Sequence, residues 1–190
     1  MLGKVLVAVA AVVAILAIAV ATRPAQYRVE RSAVVAAPPA VVYAQIADFH
    51  RWEGWSPWAR LDPAMKTDYQ GPASGKGASY HWAGNAKVGE GRMTITGEKP
   101  GEEVAIRLEF LKPWAQVSTT TFALAPEGSG TRVTWTMYGD SDLVGKAMSL
   151  VKDFDKMVGP DFERGLSALK ALAEAEAVRA AGPASPPPAR

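Results

Sequence analysis

Four residues have the types and spacing for proton-transfer chemistry: Tyr80, His81, Glu90 and Arg92, all within "SYHWAGNAKVGEGR". Imidazole and carboxylate commonly serve as general base and acid, provided both reach the same substrate. A chain reversal near Asn85 would set residue 81 opposite residues 90 to 92 and bring His81 towards Glu90. Register decides the outcome, because a slip of one residue turns a side chain to the opposite face of a sheet. With Tyr80 and Trp82 turned inward by their apolar surface, His81 faces solvent and forms a cross-strand pair. The second histidine, His50, follows a helical segment beside Arg51 and is expected on the surface.

Other chemistries lack their residues. There are no cysteines, which removes disulfides, thiolate nucleophiles and cysteine-ligated zinc. Two isolated histidines do not make a metal site, and Asp48, Asp62 and Asp68 are too irregularly spaced for a calcium loop. No serine occupies a G-x-S-x-G elbow. The stretch "GPASGKGAS" lacks the spacing of a phosphate loop and has no helix after it to receive an anion. No metal and no cofactor are expected. The net charge is only +2, with acids and bases interspersed, so nucleic acid is not an expected partner.

The elements that position these residues follow from hydrophobic patterning. The chain has 190 residues, 48% of them hydrophobic, which suits one domain between two unlike ends. Residues 5–22, "VLVAVAAVVAILAIAVAT", carry no charge; as a helix they extend about 27 Å, close to the hydrocarbon thickness of a bilayer. They read as a single-pass membrane anchor. The competing reading is a cleaved signal peptide, for which Ala19-Val20-Ala21 supplies the small residues. A very short charged N-terminus before an apolar run behaves as a signal sequence, so the domain is expected on the extracytoplasmic side. The expected organisation is an anchor or signal segment over 1–25, a folded domain over 26–178 and a disordered proline- and alanine-rich tail over 179–190.

Within the domain, "QYRVERSAVV" alternates as a strand, and Pro38-Pro39 ends it and suits the first turn of a helix. Six further strands, from "MKTDYQG" to "TRVTWTMYG", are separated by short links rich in turn residues and should pair antiparallel. Their alternation leaves one dry face, which a single layer must cover. Apolar residues from Leu143 to Ala173 recur at helical intervals after an expected N-cap at Asp140-Ser141. A kink or restart is expected at Gly159-Pro160, with the better-formed helix over 160–178.

This order of elements, with "VERSAVVAAPPAVVYAQIADFHRWEGWSPWARLDPAMK", "VGEGRMTI", "LEFLKPW", "TRVTWTM" and "DKMVGPDFERGLSALK", resembles the START-like (SRPBCC) superfamily, in its bacterial polyketide cyclase/dehydrase-like, membrane-anchored branch. The resemblance covers about residues 26 to 173. It implies an α+β helix-grip fold, in which a curved antiparallel sheet of about seven strands wraps a long C-terminal helix and leaves an apolar cavity between them. The residues expected to line that cavity are Trp55, Trp82, Met93, Phe110, Trp114, Phe122, Trp135, Met137 and Met157. Trp52 and Trp58 are expected to fix the tryptophan segment to the sheet. The implied function is binding of a hydrophobic small molecule or lipid at a membrane. One alternative is a cyclase-like enzyme using Tyr80, His81, Glu90 and Arg92; another is a filled core that acts on a protein partner.

Overall fold

The computed structural model of the protein describes residues 1–181. Helix α1 (Leu2–Ala21) has no buried residue and is long and apolar enough to cross a membrane. A link of four residues, 22–25, joins it to β1 (Gln26–Val35). Pro39 then occupies the first position of α2 (Pro39–Ala47), where its missing N–H breaks no helical bond. The side chain of Asp48 accepts a hydrogen bond from the His50 backbone N–H (2.9 Å) and starts a 3-10 helix, Phe49–Gly54.

The expected strands follow: β2 (Lys66–Gln70), β3 (Ser79–Ala83), β4 (Glu90–Lys99), β5 (Glu103–Lys112), β6 (Gln116–Glu127) and β7 (Gly130–Asp140). They form one antiparallel sheet in the order β1-β7-β6-β5-β4-β3-β2. Shifts of register between Glu90 and Gly91 and between Ile95 and Gly97 are bulge-like irregularities of the kind that bend a strand.

The C-terminal region departs from expectation in three respects. Its cap is Asp142, whose carboxylate accepts the Gly145 N–H at 2.7 Å, because β7 continues through Asp140. The helical pattern is also split into α3 (Leu143–Met148) and α4 (Phe154–Ala181). Asp153 makes the second start by accepting from the N–H groups of Asp155 (3.0 Å) and Lys156 (3.4 Å). Finally, α4 runs through Pro160 without a restart. Pro160 and Lys156 are both exposed, so the Lys156 carbonyl that loses its helical donor faces water. Of the expected tail, residues 179–181 form the end of α4 and residues 182–190 lie outside the described residues.

The inner face of the sheet is layered in rows across the strands. One row is Val104, Phe122, Trp135 and Arg31; the next is Ile95, Ile106, Thr120, Met137 and Val29. Apart from Arg31 these are buried, with α2, the tryptophan segment and α4 above them. Trp135 stacks on Phe122 (4.9 Å) and on Phe162 of α4 (4.0 Å). Trp55 meets Phe122 and Trp135 edge-on.

The tryptophan segment also completes α2. The last carbonyls of a helix lack intrahelical donors. Here Trp55 Nε1 donates to the Gln45 carbonyl (3.2 Å), Trp52 Nε1 to that of Ile46 (2.9 Å) and the Gly75 N–H to that of Ala47 (2.9 Å). Three distant groups therefore close a helix end that sits in the core. Trp58 is half-buried, edge-on to Trp135 and Phe162.

Candidate functional site

Beyond these filled rows the inner face changes. The next row towards the start of β1 is Tyr69, Tyr80, Met93, Leu108 and Ser118, followed by Thr67, Trp82, Gly91, Phe110 and Gln116. Tyr80, Met93, Leu108 and Phe110 are only half-buried. Helix α4 lies along β1 and touches β7, and α2 reaches β5 and β6, so the main contacts of both helices leave β3 and β4 aside. Trp82 keeps its indole inside by lying over Gly91, where any Cβ would collide with its ring, and by donating Nε1 to the Val88 carbonyl (3.0 Å). The result is a shallow apolar trough of half-buried side chains that continues the filled rows away from α2.

A polar trio edges this trough. Tyr27, on β1, reaches across β7 so that its hydroxyl lies 2.6 Å from Ser118 Oγ on β6. It can do so because the residue between is Gly139; a Cβ there would stand 2.7 Å from the phenol oxygen. Gln116 Nε2 donates to the same hydroxyl (3.3 Å) and to the Asp140 carbonyl (3.1 Å). Phe154, in the first turn of α4, meets the Tyr27 ring edge-on at 4.6 Å. These groups are neutral hydrogen-bonding partners at the end of an apolar surface, suited to orienting a ligand's polar end.

The four residues considered for acid-base chemistry do not converge. Tyr80 is on the inner face, where burial first and the nearby Tyr69 and Glu53 next push its phenol up to about 12. His81 and Arg92 occupy the alternate, outer positions and face each other across β3 and β4. His81 Nε2 lies 3.4 Å from Glu90 Oε1, and Lys112 Nζ lies 2.7 Å from Glu90 Oε2. Hydrogen bonding to Lys112 holds the Glu90 carboxyl below its ordinary range. His81 thus forms the cross-strand pair expected for an outward residue.

The residues expected to line a cavity divide into three groups. Trp82, Met93 and Phe110 border the trough. Trp55, Phe122, Trp135 and Met137 are buried in the filled rows, so the void expected at their level is occupied by side chains. Trp114 and Met157 are not on the inner face: they are 72% and 49% exposed. Phe110 pairs with Gln116, which places Trp114 in the intervening link and ends the strand alternation that would have turned it inward. Two surface clefts of about 560 and 680 Å3 are lined elsewhere, one around Pro39, Lys99 and Leu124, the other around Asp62, Asn85 and Lys112. Among the described residues, Trp135 Nε1 is a buried donor without an acceptor, and no cluster of three metal-ligating side chains occurs.

Arg31 was not among the sequence candidates, although it is a charged residue in a row of the inner face. It donates to both oxygens of Asp155 (2.7 and 3.0 Å) and to Glu163 (2.8 Å), joining β1 to α4. Its hydrogen bonds hold the Asp155 carboxyl below the usual range. Tyr27, Ser118 and Gln116 were also missed; the signal available for them is the polar residue interrupting the dry face of β6.

Residues 26–174 match the family described as polyketide cyclase/dehydrase and lipid transport. No curated protein matches the chain. Among solved structures, protein CV1439 from Chromobacterium violaceum is similar with a TM-score of 0.56 and 20% identity, covering 80% of this chain and 99% of its own. The Aha1 dimer from Colwellia psychrerythraea gives 0.57 and 18%, covering 78% and 96%. Ara h 8.0201 gives 0.52 and 10%, covering 81% and 99%. At these identities the structures speak for the fold, which is the helix-grip arrangement. With a family match over most of its length and this architecture, the chain belongs to the polyketide cyclase/dehydrase and lipid-transport family of the START-like superfamily.

Proposed function

We propose that residues 26–178 form a binding domain for a hydrophobic small molecule or lipid, held to a membrane by the segment 1–25, with the domain on the extracytoplasmic side. The family's description supports an apolar ligand. The observation that carries the reading is the change of burial along the inner face, from filled rows to the half-buried Tyr80, Met93, Leu108 and Phe110 beside the Tyr27-Ser118-Gln116 trio. A ligand lying on that surface removes it from water, worth about 25 cal/mol per Å2 before ordering costs. The trio gives its polar end a place. The signal-like N-terminus supports the choice of side.

The test is titration of the delipidated full chain with an apolar fluorescent probe. Saturable uptake near one probe per chain is expected, and Leu108→Glu should abolish it while the near-ultraviolet circular dichroism of the buried indoles stays unchanged. Absence of saturable uptake by folded protein would overturn the reading.

A further inference from the structure

Six apolar side chains stand exposed at one end of the domain: Trp114, Leu143, Val144, Met148, Val151 and Met157, with Val151 the most open at 82%. They gather where β1 begins and β7 ends. Helix α3 follows Asp140 by two residues, and the link carrying Trp114 is tied to the same place by Gln116, which donates to the Asp140 carbonyl. This is also the end towards which the half-buried rows of the inner face lie. It is equally the end that meets α1: α3 packs against α1, and the Ser141 N–H donates to the Ala25 carbonyl at 2.8 Å.

The four-residue link between α1 and β1 spans at most about 14 Å. The polar zone of a bilayer leaflet is about 5 to 7 Å deep. Fully extended, the link would clear that zone by only about 7 Å, and α3 packs against α1 itself, so with α1 embedded this end of the domain lies at the membrane surface. Charge does not oppose contact or drive it: residues 142–156 hold three aspartates and three lysines. The apolar side chains are therefore the features a bilayer would recognise, with Trp114 of the type favoured at the headgroup level and lysines able to extend their ammonium groups to water.

We propose that α3, the α3-α4 link and Trp114 dip into the bilayer that holds α1, so that the trough opens at the boundary between headgroups and acyl chains and takes its ligand from the membrane. This rests on the reading of α1 as a membrane span.

The absence of cysteine allows single labelling sites in the full chain. Trp114→Cys, Val144→Cys and Val151→Cys, each carrying an environment-sensitive nitrobenzoxadiazole dye, are compared in phosphatidylcholine vesicles with Ala125→Cys at the opposite end and Val12→Cys within α1. The expected result is blue-shifted emission, quenched by nitroxide-bearing lipids, at 12, 114, 144 and 151, with water-like, unquenched emission at 125. Quenching should persist at raised salt. Quenching at 12 with water-like emission at 114, 144 and 151 would overturn the proposal and leave the anchor standing. Absence of quenching at 12 would overturn both. A blue shift at 144 and 151 without lipid quenching would mean that a second protein copy covers the patch, and would also overturn it.

Discussion

Replacing Gly159 with alanine should destabilise the domain, against the ordinary rule for helices. Alanine is favoured over glycine in a helix interior by about 1 kcal/mol. For a chain of this size that would raise the melting temperature by about 2–4 °C. Gly159 has no left-handed backbone to excuse it, since it is absent from the glycines with positive φ. What it has is a neighbour. A Cβ at 159 would stand 2.6 Å from Arg31 Cζ and 3.2 Å from Nε. An exposed arginine would swing away at little cost, but this guanidinium is held by Asp155 and Glu163, and its side chain is only 25% exposed. Moving it breaks contacts on both sides of the added methyl. We expect the predicted rise to become a fall of at least the same size, 2–4 °C or more.

The assay is thermal and urea unfolding of the full chain in mild detergent, followed by near-ultraviolet circular dichroism. The decisive comparison is made in an Arg31→Ala background, where Gly159→Ala has nothing to strike and should recover about 2–4 °C. A reversal of sign between the two backgrounds is the signature of the contact. Stabilisation by Gly159→Ala in the native background would refute the reasoning, because it would mean that the Arg31 cluster yields without cost.

Trp55→Phe should cost about 2–3 kcal/mol, read from urea unfolding, since it strands the Gln45 carbonyl and leaves unfilled space beside Phe122 and Trp135. Acid should weaken the domain through Asp155, whose folded pKa is depressed by its hydrogen bonds to Arg31. That contribution is fully present above the ordinary carboxylate range and disappears as pH falls through the lowered value. A pH series of melting temperatures on Asp155→Asn should accordingly show a shallower acid limb than the native chain. Tyr27→Phe should lose about 1 kcal/mol of stability with the bond to Ser118, and should weaken uptake of probes with a polar end more than uptake of a pure hydrocarbon.

Which parts of this were legible beforehand follows the range of the interactions. The strands could be read because alternation and turn residues are local: "EEVAIRLEFL" and "TRVTWTMYG" fall within β5 and β7, apart from one flanking residue. The division of Tyr80 from His81 followed from the same alternation. Trp114 misled because it keeps the parity of Phe110, while the pairing of Phe110 with Gln116, which ends the alternation before it, is set by the partner strand. Arg31 shares the parity of Tyr27, Val29, Ala33 and Val35, so alternation alone turns it inward; what the sequence could not show is its partners, which lie 124 and 132 residues away. The trough could not be placed without knowing how far across the sheet α4 reaches. The purpose of Trp52 and Trp55 needed the end of α2 in view.

The brevity of the segment between α1 and β1 sets a rule for traffic. Under the proposed anchoring, a domain leashed by four residues would not ferry cargo through an aqueous compartment. With α1 embedded as proposed, the domain would search in a plane and exchange with whatever diffuses beside it, as a local receiver or dispenser. Any onward movement of its ligand would require an acceptor that comes to the same surface.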